Sequence, residues 1–168
     1  MHPAHRDRSL SLAQSLPATA APGGLNWRMP DSIDATTAHQ RLQSEPGAVY
    51  LDVRSVMEFE QGHPVGAWNI PILHATPSGM QPNAEFLAVA SRSLPRETLI
   101  VVGCKSGQRS AMACQLLAQA GFTHCVNLDG GFSGLTDFLG RVQAPGWSQL
   151  ALPSTAEPTP GKSWDELR

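Results

Sequence analysis

Thr98-Leu99-Ile100-Val101-Val102-Gly103-Cys104-Lys105-Ser106-Gly107-Gln108-Arg109-Ser110 is the stretch that decides the architecture. Leu99 to Val102 is a short apolar run rich in β-branched residues, the pattern of a strand covered on both faces, as in a parallel sheet. Ala111 to Ala120 (AMACQLLAQA) consists mostly of good helix formers. Between them lies a tight, glycine-containing loop whose backbone N–H groups can converge on one point. Such a point is an anion site at a helix N-terminus. A cysteine placed there is favoured as the thiolate, which makes Cys104 the candidate nucleophile. Lys105, Ser106, Gly107, Gln108 and Ser110 form the candidate substrate-binding loop around it, and Arg109 is the candidate partner in catalysis.

Outward from this stretch, strands and helices alternate. Asp34 or Thr36 is placed to cap a first helix, which Glu45-Pro46-Gly47 ends. A strand is expected over Ala48 to Val53, and a short helix capped by Ser55 runs to Gln61. A strand over Trp68 to Ile70 follows, then a proline-rich loop from Pro71 to Pro82 and a helix over Asn83 to Ser93. The last strand is Cys125 to Leu128, and a final helix is expected over Ser133 to Arg141. This alternation predicts a parallel sheet with crossover helices. Ligands of such sheets bind beyond the carboxyl ends of the strands, where both Asp52 and Cys104 fall. Residues 1–31 read as a disordered extension, 32–142 as the folded domain, and 143–168 as a proline-rich tail. That tail is expected to be extended, with disorder as an option and with Trp164 placed to fold it back.

The chain of 168 residues carries 12 Lys and Arg against 14 Asp and Glu, a net charge of −2, which gives no reason to expect nucleic acid or an anionic membrane as partner. No apolar run has the length of a membrane span. Three cysteines (Cys104, Cys114, Cys125), an odd number without a dense spacing pattern, do not read as a disulfide framework. No Cys/His metal pattern occurs, so no metal is expected. A reducing, cytoplasmic setting is the simplest reading. The alternative is organelle targeting through residues 1–30, which hold Arg6, Arg8 and Arg28 against one acid, Asp7. Cys114, Cys125 and His124 read as packing residues, with Cys125 as a resolving thiol the other option.

Four further motifs, in order, carry a resemblance. They are Leu51-Asp52-Val53-Arg54 with Glu58-Phe59; Gly62-His63-Pro64-Val65-Gly66-Ala67-Trp68-Asn69-Ile70-Pro71; Ala120-Gly121-Phe122-Thr123; and Leu128-Asp129-Gly130-Gly131-Phe132. With the cysteine loop, they make the chain from Ser32 to Leu139 resemble the rhodanese-like family, in particular its single-domain thiosulfate sulfurtransferases. The resemblance implies a three-layer α/β fold, with a central, mostly parallel, five-stranded sheet flanked by helices. It implies a persulfide on Cys104, a small sulfur donor such as thiosulfate, and a cyanide or thiol acceptor, a thioredoxin-like protein being one candidate. No organic cofactor is implied. Two departures stand out: Pro64 replaces the usual isoleucine, and Gly134-Leu135 stands where Ala-Trp is common.

Each remaining residue has a working role. Arg109 is expected to brace the loop through carbonyls or a carboxylate such as Glu58, direct substrate contact being the alternative. Lys105 is expected to attract the anionic donor. Ser106 and Ser110 either bond the sulfur or cap the helix. Asp52 and Arg54 are expected to support the site from behind, direct involvement being the alternative. His63 is expected to be a hydrogen-bonded structural group rather than a proton shuttle. The rivals are a cysteine-dependent phosphatase or arsenate reductase on the same fold and a non-enzymatic persulfide carrier. Against the first, the loop is one residue shorter than the phosphate-wrapping loop of cysteine phosphatases, and Gly103 rather than histidine precedes Cys104.

Overall fold

The computed structural model describes residues 29–168, so residues 1–28 of the N-terminal extension, and with them the targeting alternative, lie outside the described residues. In chain order the elements begin with β1 (Ser32–Ile33), α1 (Ala35–Ser44), β2 (Val49–Asp52), α2 (Val56–Glu60), β3 (His63–Pro64) and β4 (Trp68–Asn69). Next come β5 (Leu73–Thr76), β6 (Gly79–Pro82), α3 (Phe86–Ser93), β7 (Ile100–Gly103), α4 (Gln108–Gln119) and β8 (Cys125–Leu128). The chain closes with β9 (Leu135–Thr136), β10 (Val142–Ala144), β11 (Ser154–Thr155) and α5 (Trp164–Leu167).

The central sheet has five strands in the order β1-β8-β7-β2-β4, and every pairing in it is parallel. The three-layer α/β expectation is therefore met. Strand alternation sorts the side chains. Leu51, Ile100 and Val102 face a core completed by Val89 and Ala90 of α3 and by Ala113 and Leu117 of α4. Tyr50, Val101 and Leu128 face a second core with Ala35 and Ala38 of α1 and Phe59 of α2. In register, Asp52 lies opposite Gly103, so the carboxyl ends of β2 and β7 deliver Arg54 and Cys104 to the same edge. Asp34 caps α1 through the Thr37 N–H, and Ser55 and Glu58 form a reciprocal capping box on α2.

Three expectations are corrected. Residues 71–82 contain a β-hairpin, β5–β6, paired from Leu73↔Pro82 to Thr76↔Gly79. Residues 133–141 are not helical: β9 and β10 pair antiparallel around a turn that Asp137 holds by accepting the N–H groups of Leu139 and Arg141. Gly134 and Gly140 lie at positive φ (+94° and +78°), which an α-helix does not allow. The proline-rich tail is ordered and packed rather than disordered, with Trp164 folded back as expected. Its Trp147 is buried in the core beneath α1, its Trp164 in the core beside α3 and α4, and β11 pairs with β3.

Candidate active site

The loop from Cys104 to Gly107 leaves β7 and turns directly into α4, which begins three residues earlier than its helix-forming run. Cys104 is 1% exposed. Its Sγ is 3.1 Å from the Gly107 N–H donor and 3.4 Å from the Ser110 hydroxyl. Ser110 has a single hydrogen to give and a closer acceptor, Asn127 Oδ1 at 2.7 Å. It can therefore turn between the sulfur and Asn127 as charge on the sulfur changes. Lys105 and Gln108 are exposed, Ser106 is half-buried, and none of the three makes a side-chain hydrogen bond within the site among the described residues.

Arg109 is committed to a carboxylate. Its two terminal nitrogens donate to the two oxygens of Glu58 at 2.8 and 2.7 Å, a bidentate pair that ties α4 to α2. Burial alone would push the Glu58 carboxyl up. The Arg109 hydrogen bonds and charge and the Ser55 capping bonds outweigh it, and hold Glu58 down at about 2. A second pair, this one buried, joins Arg54 to Asp52. Arg54 Nη2 reaches Asp52 Oδ2 at 2.6 Å and the Gly62 carbonyl at 2.7 Å, and its guanidinium lies 4.3 Å from the centre of the Phe132 ring. Asn69 fixes this strand end by donating to the carbonyls of Asp52 and Arg54, both at 3.1 Å.

His63 is away from the sulfur chemistry. It is fully buried, stacked on Phe59 at 3.6 Å, with Nδ1 2.8 Å from the Phe59 carbonyl. Cys114 and Cys125 face a different cavity, lined also by Met29 and Phe122. Burial pushes the Cys114 thiol well up and the Cys125 thiol up to about 11, so both stay protonated at neutral pH. Among the described residues no cluster of His, Cys, Asp and Glu is arranged to hold a metal.

The loop's outer side is held by backbone. The Phe132 N–H donates to the Cys104 carbonyl at 2.7 Å and the Ser133 N–H to the Lys105 carbonyl at 2.9 Å. Gly131 makes this approach possible: its φ is +56°, and a Cβ there would strike the Cys104 carbonyl oxygen and come within 2.7 Å of the Lys105 carbonyl carbon. Beside the loop opens a cavity of about 230 Å³ lined by Arg54, Glu58, Gln61, Gly62, Lys105 and Phe132. Arg54 is paired with Asp52 and Arg109 with Glu58, whereas Lys105 makes no ion pair among the described residues. Lys105 is thus the cation with charge to spare at this mouth. Asn127 was missed by sequence reasoning, although one polar residue inside the otherwise apolar strand Cys125–Leu128 was a signal.

A cysteine with N–H and O–H donors at its sulfur, at the carboxyl edge of a parallel sheet, is an arrangement suited to covalent chemistry at a thiol. The chain belongs to the rhodanese-like domain family, whose model matches residues 34–137. It is 39% identical over 129 residues to a protein of Arabidopsis thaliana named thiosulfate sulfurtransferase 16, chloroplastic, a match covering 77% of this chain and 96% of that one. It is 38% identical over 110 residues to rhodanese-like domain-containing protein 15, chloroplastic, of the same plant, covering 66% of this chain and 59% of the relative. Among solved structures, the crystal structure of Rv0390 from M. tuberculosis superposes with a TM-score of 0.66 at 28% identity, covering 77% of this chain and all of that one. Together these support sulfurtransferase chemistry in general.

Proposed function

We propose that this chain moves sulfane sulfur from thiosulfate or a persulfide donor to a thiophilic acceptor through a persulfide on Cys104. The Cys104 thiolate attacks the outer sulfur of thiosulfate. A new S–S bond forms, the donor's S–S bond breaks, and sulfite leaves with the bonding pair. An acceptor thiolate or cyanide then attacks the terminal sulfur, and Cys104 leaves as the thiolate, ready for another cycle. No external base is needed once the thiol is ionised. The observation that carries this reading is the Gly107 N–H and the Ser110 hydroxyl placed at a buried Cys104 Sγ, where they favour negative charge on sulfur. Lys105 at the cavity mouth would recruit the dianionic donor, and the Arg109–Glu58 pair would keep the loop closed around the sulfur.

Incubation with thiosulfate is expected to add one sulfur, about 32 Da, to Cys104, and cyanide to remove it as thiocyanate. Sulfur mapped to Cys114 or Cys125, or no uptake at all, overturns the reading. Sulfur uptake without turnover would favour the persulfide carrier. Hydrolysis of an aryl phosphate that disappears in Cys104→Ser would favour the phosphatase. The chloroplast address in both relatives' names supports the organelle-targeted alternative over a cytoplasmic setting.

A further inference from the structure

We propose that Gly146, Trp147 and Ser148, in the segment after the sheet, are positioning residues of the active site. This rests on the sulfurtransferase reading above, and it concerns which parts of the chain make the cysteine loop work. The segment donates two backbone hydrogen bonds: Trp147 N–H to the Gly131 carbonyl and Ser148 N–H to the Phe132 carbonyl, both at 2.9 Å. The Ser148 hydroxyl adds a second bond to the Phe132 carbonyl at 2.8 Å. Across a trans peptide plane the C=O and the following N–H point in opposite directions. The N–H opposite the Gly131 carbonyl belongs to Phe132 and donates to the Cys104 carbonyl; the N–H opposite the Phe132 carbonyl belongs to Ser133 and donates to the Lys105 carbonyl.

Two chains of aligned peptide groups therefore run side by side from the C-terminal segment, through Gly131–Ser133, into the cysteine loop. They end at the N–H groups of Lys105 and Ser106, which share peptide planes with the bonded carbonyls of Cys104 and Lys105. Those N–H groups are turned away from Gly131–Ser133. Aligned hydrogen bonds polarise one another in the same sense, so each chain delivers its positive end to the loop. It also fixes the loop's peptide planes before a donor arrives, which is what electrostatic preorganisation requires.

Steric fit is an independent observation. A Cβ at Gly146 would strike the Gly134 nitrogen and come within 2.6 Å of the Ser133 carbonyl carbon and 2.7 Å of the Phe132 oxygen. A Cβ at Gly131 would strike the loop itself. Three backbones are stacked with no side chain between them, so a displacement of the outer one passes to the loop. Trp147 anchors the stack. Its ring is buried edge-on against Tyr50 and His39, and its Nε1 donates to the Pro153 carbonyl at 3.0 Å.

The test compares Gly146→Ala, which pushes on Phe132 and Ser133, and Ser148→Pro, which removes both the N–H and the hydroxyl bond to the Phe132 carbonyl, with Trp164→Ala in the 168-residue chain. Trp164 lies in the same C-terminal segment and is as buried as Trp147 (4% against 2% exposed). It packs in the other core, on the side of the sheet that also buries Cys104, but makes no bond to residues 131–133 among the described residues. All variants are assayed well below their unfolding midpoints. The two stack variants are expected to lose tenfold or more in kcat for thiosulfate–cyanide transfer, with a smaller change in KM. Trp164→Ala is expected to lose stability but keep kcat within about twofold of wild type. If folded Gly146→Ala keeps wild-type kcat, or if Trp164→Ala loses kcat in the same proportion to its loss of stability, the proposal is wrong. A second readout needs no sulfur donor: the rate of Cys104 carboxymethylation by iodoacetamide is expected to change several-fold in the stack variants and not in Trp164→Ala. That readout keeps the positioning role testable should wild-type protein fail to transfer sulfur.

Discussion

Arg109 and Lys105 sit four residues apart on the same loop and helix start, yet their surroundings divide the work between them. Arg109 spends both terminal nitrogens on Glu58, so its fork geometry matters more than its charge. Arg109→Lys is expected to lower kcat with every donor and to cost about 1 kcal/mol of stability, measured by steady-state kinetics and denaturant melts. Lys105→Ala is expected to raise KM for thiosulfate, to flatten its salt dependence, and to leave an uncharged donor little affected. Equal impairment of both donors by Lys105→Ala would reverse the two roles. Glu58 adds a pH dependence of known sign. Its folded value of about 2 lies below the usual 4.5, so its contribution is complete above about 4.5 and is lost as pH falls toward about 2. The stability gap between wild type and Glu58→Gln, followed by urea melts, is expected to narrow across that window; a gap that widens on acidification contradicts the pairing. Sequence alone pointed to Cys104 as the candidate nucleophile and to Glu58 as a partner of Arg109, the pair seen here, because loop spacing and charge type are local information. It did not expose Asn127 or the contact of Gly131 with the loop carbonyls, because both arise from β8 lying next to β7.

Helix α2 is short, and its capping box does two jobs with one carboxylate: Glu58 accepts the Ser55 N–H and hydroxyl and also pairs with Arg109. Ser55→Ala is expected to cost about 1 kcal/mol and to lower sulfur-transfer activity, because Glu58 loses the group that orients it. Asp34→Ala removes the cap of α1 at a similar cost and is expected to leave activity unchanged. The same loss of activity in both variants would detach the α2 cap from the site. At this scale the buried strands were readable, since Ile100 to Val102 carry the apolar run of a strand covered on both faces. The two hairpins were not. Leu135, Phe138 and Leu139 have helical spacing, but Phe138 and Leu139 are exposed (93% and 62%) and have no core face to bury. Without one, the pattern has nothing to stabilise a helix, and the Asp137 turn takes over. In residues 71–82, Pro71, Pro77 and Pro82 read as a loop, yet Pro71 and Pro77 lie outside the paired strands and Pro82 at the end of one, where the missing N–H costs nothing.

The molecule is closed from both sides by its last two tryptophans: Trp147 covers the face carrying α1, Trp164 the face carrying α3 and α4. Truncating a buried tryptophan to alanine typically costs about 3–5 kcal/mol, so Trp164→Ala is expected to lower the unfolding midpoint sharply in chemical denaturation. A midpoint within error of wild type would show that the segment contributes nothing to the fold. Proline content pointed correctly to an irregular segment after Gln143 but carried no information about packing. Irregular backbone can dock as firmly as a helix when it brings large apolar side chains and has its carbonyls and N–H groups paired. The stacking of Gly146–Ser148 on Gly131–Ser133 also has a consequence in time. Translation proceeds from the amino end, so Cys104 emerges from the ribosome well before the residues that complete its surroundings. A nascent chain released as far as β8 holds the thiol but lacks the outer layer of backbone, and is expected to be a poor sulfur carrier. Competence for the proposed reaction is then expected late, when synthesis has passed Ser148 and the C-terminal segment has folded over the sheet.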